Sequence, residues 1–156
     1  MFQKKIIFLL LLLLSSCGYD AIHSKKNSVN YNFSISELSF VGDRKVNIKI
    51  KEELSNYTQS KEDKDFILKI YSTSQKIILA KDLAGDTTTF KNTISINVEV
   101  LMNNKFKSNL GIIESFNYNN ISNKFDLKNY EDEIKNNLAE TATEKIIFKL
   151  SNIQWY

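Results

Sequence analysis

The sequence predicts an α+β domain in which an antiparallel-rich sheet of about four strands carries two helices on one face, in the order β-α-β-β-β-α. Three observations predict this fold. Residues 88–102 alternate apolar and polar side chains, as a half-buried strand does. Apolar residues recur every three or four positions over residues 126–150, which is typical of an amphipathic helix. The 156 residues leave room for one compact domain, which we place at residues 31–156.

Four segments have the alternation of a strand, namely 31–41, 66–80, 88–102 and 109–119. In the first, the apolar phase slips by one residue near Ser36-Glu37, which indicates a β-bulge. In the third, one face is apolar and the other polar, so the sheet should have one buried and one wet face. Asn103-Asn104 predicts a tight hairpin turn into the fourth strand, because asparagine tolerates the positive φ of such turns.

Residues 43–57 allow two interpretations. Val46, Ile50 and Leu54 have the spacing of a helix stripe, whereas Val46, Ile48 and Ile50 alone would fit a strand. The length of the segment favours a helix, with Asp43 as its N-cap. We therefore predict a helix here and leave the strand as the alternative.

The second helix is predicted over residues 126–150, with Asp126 as its N-cap. Glu131, Asp132 and Glu133 fall in its first two turns, where the helix dipole favours negative charge. We interpret this acidic trio as a solvated helix start rather than a cation site.

Composition excludes several classes of function. Lys and Arg number 21 against 18 Asp and Glu, and a net charge of +3 is too small for a nucleic-acid binder. With one Cys and one His, the chain cannot build a Cys-rich or multi-histidine metal site. The sequence also has no HExxH, GxSxG, P-loop or GxGxxG motif. We expect no enzyme activity, no cofactor and no metal.

The amino terminus has the pattern of a bacterial lipoprotein signal peptide. Lys4 and Lys5 precede an apolar run over residues 6–14, whose nine residues would rise only about 14 Å as a helix, against a hydrocarbon core of about 30 Å. The run leads through Ser15-Ser16 into Cys17, as in a lipobox. We predict a signal peptide over residues 1–16, lipid attachment at Cys17, and a tether over residues 17–30.

The predicted anchor gives the mature chain a location. Several acyl chains hold a protein to a membrane far more firmly than one. Gly18, the residue after the acylated cysteine, favours the outer membrane over retention in the inner membrane. We therefore expect a lipid-anchored outer-membrane protein with its domain on the periplasmic side.

Three segments resemble the LptE family of LPS-assembly lipoproteins, in its alphaproteobacterial-like form. They are Cys17-Gly18-Tyr19 at the start, Asp86-Thr87-Thr88-Thr89 before the clearest strand, and Ser115-Phe116-Asn117-Tyr118 before the terminal helix. The resemblance implies a plug inside the lumen of the outer-membrane β-barrel LptD. It also implies a role in assembling that barrel and in delivering lipopolysaccharide (LPS) to the outer leaflet, with LPS bound along the way.

LPS carries phosphates, for which lysine is a natural partner. Lys91, at the entry to the clearest strand, and Lys105 and Lys107, around the hairpin, are the candidate LPS-binding residues. The alternative is that they are solubilising charges of the kind that strands commonly carry.

Two other functions stay open: a generic outer-membrane lipoprotein that scaffolds another envelope complex, and a lipid carrier. The carrier would need a larger β domain than about four strands to enclose an acyl chain.

Overall fold

The computed structural model describes residues 32–154. Its elements are β1 (Ser34–Gly42), α1 (Arg44–Gln59), β2 (Asp65–Lys81), β3 (Thr87–Met102), β4 (Lys105–Asn119) and α2 (Lys124–Ser151). The strands form one sheet in the order β1-β2-β3-β4, and both helices share a hydrophobic core with it. The predicted α+β fold and its element order are confirmed.

Strand β1 runs parallel to β2, and the other neighbouring strands are antiparallel. Helix α1 supplies the crossover that a parallel connection requires. The register of β1 shifts between Ile35 and Glu37, at the predicted bulge. Because of this extra residue, Ile35 and then Leu38 and Phe40 all turn toward the core.

The hairpin between β3 and β4 turns on Asn103 and Asn104, with φ of 52° and 59°. This confirms the predicted turn. Strand β4 begins at Lys105, earlier than the predicted start at residue 109, because the two-residue turn lets Met102 pair with Lys105 directly.

Helix α1 begins after Asp43, which confirms both the helix and its predicted cap. The Oδ1 atom of Asp43 accepts hydrogen bonds from the backbone N–H groups of Lys45 (3.0 Å) and Val46 (3.1 Å). Its Oδ2 atom accepts from the Ser74 hydroxyl of β2 and from the Lys135 ammonium of α2, the latter at 3.0 Å. One carboxylate therefore joins α1, β2 and α2.

The predicted cap of α2 is wrong by three residues. Asn123 is the N-cap, and its Oδ1 atom accepts from the backbone N–H groups of Phe125 (2.9 Å) and Asp126 (3.5 Å). Asp126 lies in the first turn, where the helix dipole favours a carboxylate just as a cap position does. The residue type alone could not separate the two positions.

A single core lies between the helices and one face of the sheet. It takes residues from every element, including Phe33 before β1, and its fully buried members include Phe33, Ile35, Val46, Ile50, Leu54, Phe66, Leu68, Ile70, Ile94, Ile146 and Leu150. Ile153, just after α2, packs against this core. In residues 32–154, neither helix combines the length and the apolar run that crossing a bilayer requires.

Gly42 should be intolerant of any side chain. Its φ is 109°, and a Cβ atom there would stand 1.9 Å from the backbone oxygen of Ser72. We expect Gly42→Ala to lower the free energy of unfolding by about 3 kcal/mol or more, measured by urea denaturation. The matched control is Gly85→Ala, where φ is also positive but no atom lies within 4 Å, so that only the backbone strain of about 1–2 kcal/mol applies. Equal losses in the two variants would contradict the close approach.

Stability should fall in acid through Asp43. Partial burial by itself would raise the pKa of this carboxyl, but the bonds from Ser74 and the Val46 N–H, together with the Lys135 ammonium, lower it from 3.8 to about 2. Because the pKa of Asp43 is lower in the folded chain, its ionised form stabilises the fold. This stabilisation is complete above the pKa of the unfolded chain and is lost as the pH falls through about 2. Between pH 4 and pH 2, the free energy of unfolding of the parent chain should fall by about 2 kcal/mol because Asp43 becomes protonated. The Asp43→Asn variant has no carboxyl group at this position, so its free energy of unfolding should not show this part of the fall. Denaturation at each pH measures both.

The exposed first-turn variant Asp126→Asn is the control for this titration. It should keep the acid transition of the parent chain. A parent transition that Asp43→Asn leaves unchanged would refute the assignment.

Candidate interaction surface

Within residues 32–154, the helices cover one face of the sheet, and no element covers the other face. Along β2, β3 and β4 the core-facing residues alternate with residues that point away from the helices. We call the second set the open face. Its central rows, read across the strands, are Lys69-Glu99-Asn109, Tyr71-Asn97-Gly111 and Thr73-Ser95-Ile113.

Small and polar side chains in the middle of the open face leave a shallow depression in its surface. Tyr71, Thr73, Asn97 and Gly111 border a shallow depression of about 580 Å³. A Cβ atom on Gly111 would lie 3.8 Å from the Oδ1 atom of Asn97, so this position is open rather than crowded. The depression holds hydroxyl and amide groups beside apolar ones and suits contact with another mixed surface.

Large apolar side chains also stand on the open face without cover. Ile113 is 72% exposed and Phe106 is 63% exposed. Exposed apolar residues of this size on a continuous face mark an interaction surface. The alternation in the sequence predicts which residues lie on this face, but not that it stays uncovered.

The acidic trio of α2 is largely paired with neighbouring elements rather than solvated. Glu131 forms an ion pair with Lys76 of β2 and accepts a hydrogen bond from the Tyr118 hydroxyl at 2.9 Å. Asp132 pairs with Lys45 of α1 at 2.6 Å. Burial and the contact with Glu131 raise the pKa of Tyr118 above its usual range.

These contacts fasten α2 to the sheet and to α1. Within residues 32–154, no three carboxylate, Cys or His side chains come together as a metal-binding group.

The three candidate lysines fall at two separate places. Lys91 lies on the open face of β3, between Ile77 and Asn117 of the neighbouring strands. Lys105 begins β4 opposite Met102, and Lys107 sits at the register shift of the same strand. Lys91 and Lys105 are therefore about 36 Å apart along the strand direction, so one phosphorylated headgroup cannot contact both.

The β2–β3 hairpin extends past β1, which pairs with β2 only as far as Ser72. We call residues 77–89 the hairpin end. Ile78 and Leu79 are half exposed there, and Leu83 at the turn is fully exposed. Sequence reasoning missed this apolar projection, because strand alternation shows which side a residue takes and not whether another layer covers it.

Hydrogen bonds within the β2–β3 turn satisfy several of its own backbone N–H groups. The Oδ1 atom of Asp82 accepts from the N–H groups of Ala84 (3.0 Å) and Asp86 (2.9 Å), and the Gly85 N–H donates to the Asp82 carbonyl. The turn is therefore a defined element at the far end of the sheet.

Cys17, the predicted site of lipid attachment, lies outside the described residues. The described chain enters the sheet at Ser34, which pairs with Asp65, the first residue of β2. Ser34 therefore lies at the end of the sheet opposite the β2–β3 turn.

The comparisons with known proteins show the fold. No protein-family model matches the sequence, and no curated protein matches it either. Among solved structures, rare lipoprotein B from Shewanella oneidensis has a TM-score of 0.58 at 11% identity, covering 74% of this chain and 93% of that one. A minor lipoprotein from Acinetobacter baumannii has a TM-score of 0.59 at 11% identity, with 78% and 91% covered.

A third structure, lipoprotein B from Nitrosomonas europaea, has a TM-score of 0.58 at 16% identity, with 78% of this chain and 86% of that one covered. Three solved lipoproteins thus share this fold over most of their length.

Neighbouring isoleucines on β4 test whether the open face takes part in folding. Ile112 is 5% exposed and points into the core, whereas Ile113 points away from it. Ile112→Thr should cost about 2 kcal/mol of unfolding free energy through lost burial and a buried hydroxyl. Ile113→Thr should change it by less than about 0.5 kcal/mol. A large loss in the second variant would mean that the open face is covered by this chain itself.

Proposed function

We propose that this chain is an outer-membrane lipoprotein that partners an LptD-type β-barrel as a plug. In this role it aids assembly of the barrel and delivery of LPS to the outer leaflet. No bond is made or broken, and no cofactor or metal takes part. The coarser part of the proposal is a lipid-anchored protein of the bacterial envelope.

The observation that carries the proposal is the length of the sheet between its two ends. Strand β2 has 17 residues, and its end-to-end length is about 53 Å. A bilayer with its headgroups is about 40–45 Å thick. A plug of this length can keep the Ser34 end beside an anchored leaflet while the hairpin end reaches the opposite surface.

The open face supports contact with the inside of a barrel. The lumen of an outer-membrane barrel is polar, unlike its lipid-facing wall. The central rows of the open face offer hydroxyl, amide and paired charged groups, such as Lys69 and Glu99 at 3.1 Å. Ile113 and Phe106 add apolar area at which a protein partner could exclude water.

The predicted anchor and the fold support the general part of the proposal, a lipid-anchored protein of the bacterial envelope. The lipobox at Cys17 predicts acylation, and the three solved structures that share the fold are all lipoproteins. The resemblance of the sequence to the LptE family supports the specific part, the partnership with an LptD-type barrel.

The position of Lys91 supports an LPS contact near the hairpin end. It lies beside Ile77, so an ammonium group and apolar side chains adjoin on one surface. LPS presents phosphates next to acyl chains, and such a ligand needs both kinds of contact. Lys105 and Lys107 lie on β4, beside the opposite end of β3, and would meet a different part of any ligand.

Co-purification tests the partnership. Tagged protein isolated from outer membranes should co-purify with an LptD-type barrel in a stable one-to-one complex. The Cys17→Ser variant should lose membrane association, since its anchor is missing, and should yield much less of the complex. Recovery of a different envelope complex alone would favour the scaffold alternative and reject the plug.

Single substitutions test the LPS contact. Lys91→Gln should weaken binding of purified LPS several-fold and lower the salt dependence of binding, because one phosphate contact is lost. The double variant Lys105→Gln with Lys107→Gln removes more charge from the far end and should bind LPS as the parent does. A larger loss in the double variant would move the contact to that end of the sheet.

A further inference from the structure

We propose that the free edge of β4, at residues 115–119, binds an extended polypeptide segment as a fifth strand. The segment would place a large apolar side chain in the groove between β4 and α2, and a basic side chain against Glu133. This inference goes beyond the proposed function and stands whether or not the protein that supplies the segment is a barrel.

The backbone of this edge is ready for pairing. In the described part of the chain, β4 hydrogen-bonds to β3 on one side and to no strand on the other. The Asn120 N–H donates to the Thr88 carbonyl at 2.8 Å, so even-numbered residues face β3. Because antiparallel strands alternate, the N–H and C=O groups of Ser115, Asn117 and Asn119 point outward.

Two side chains of helix α2 reach the earlier part of the edge. The Lys149 ammonium lies 3.4 Å from the Gly111 carbonyl, and Lys145 forms an ion pair with Glu114. These two lysines close the edge as far as Glu114. The outward groups of residues 115–119 lie beyond them.

This stretch also lacks the features that keep natural sheet edges from pairing. Edges are usually protected by a bulge, a lysine or a proline. In β4, the register shift and both lysines fall at residues 105–107. Residues 108–119 contain no lysine, no proline and no register shift, so the edge is regular where it is uncovered.

A groove beside the edge would receive a side chain of the added strand. It has a volume of about 230 Å³ and an apolar lining that includes Phe116, Tyr130, Ile134 and Leu138. Phe116 is 47% exposed at the rim. In strand addition, the backbone bonds provide affinity and a pocket for alternate side chains provides specificity. The groove therefore selects a leucine, isoleucine or phenylalanine.

A negative charge at the rim of the groove indicates that the bound segment also carries a basic residue. Glu133 lines the same groove, and among the described residues its carboxylate has no hydrogen-bond or ion-pair partner. A lysine or arginine next but one to the apolar residue would lie on the same face of the added strand and could reach this carboxylate.

A second copy of this chain fits the site poorly. In two-fold antiparallel pairing centred on Asn117, the residue opposite Phe116 would be Tyr118 of the copy. That side chain is buried against its own α2 and donates to Glu131, so it cannot enter the neighbour's groove. The copy would also bring no basic residue to Glu133.

The probe is a fluorescent octapeptide, Thr-Lys-Thr-Leu-Thr-Leu-Thr-Lys, added to the full-length protein in detergent. We expect saturable binding by fluorescence anisotropy. We also expect amide hydrogen exchange at Ser115, Asn117 and Asn119 to slow at least tenfold, because these N–H groups gain partners. The control peptide has a proline in place of the central threonine and should not bind, since it cannot pair.

Variants of the protein locate the site. Asn117→Pro removes an outward N–H that the sheet itself does not use, so the fold should persist, by circular dichroism, while binding falls at least tenfold. Glu133→Gln should weaken binding several-fold and reduce its salt dependence, with Asp126→Asn on the same helix as the unaffected control. If Asn117→Pro failed to fold, the proline peptide and Glu133→Gln would still decide the question.

Three results would overturn the proposal. The first is no slowing of exchange at residues 115–119 with the peptide at millimolar concentration. The second is equal binding of the peptide with and without proline. The third is protection of the same amides without peptide as a dimer forms in ultracentrifugation, which would assign the edge to a second copy.

Discussion

The carboxylate of Asp43 holds the layers of this domain together. It caps α1 through two backbone N–H groups and accepts from Ser74 on β2 and Lys135 on α2. These partners come from distant parts of the sequence, so the bonds form only when both helices lie on the same face of the sheet. Gly42 makes the junction possible, because its bare backbone passes against the Ser72 carbonyl.

Because both helices lie on one side, no described element covers the other side of the sheet. The core is filled from the covered face, and the residues in the central rows of the open face are not part of it. The small polar residues of the open face and the exposed Ile113 are free to match a partner surface. Strand β2, the longest strand of this sheet, extends over about 53 Å.

The local features of the fold were predictable because each depends on neighbouring residues. The cap at Asp43, the turn at Asn103-Asn104 and the bulge near Ser36 all follow from side-chain chemistry or a phase slip within a few positions. The cap of α2 was misplaced, because Asn123 and Asp126 carry equivalent signals and only the hydrogen bonds distinguish them. The candidate site was less predictable, since the separation of Lys91 from Lys105 depends on strand length and pairing.

The sequence by itself determined the element types, the buried face of each strand and a predicted acylation at Cys17, because periodicity and short motifs are local properties. Only the tertiary structure decided that β1 pairs parallel to β2, and that the hairpin end projects beyond β1. It also decided that, within residues 32–154, the outer edge of β4 at residues 115–119 has no neighbouring strand and lies beside a groove. These features depend on which elements lie side by side, and contacts between residues far apart in the chain leave no periodic trace in the sequence.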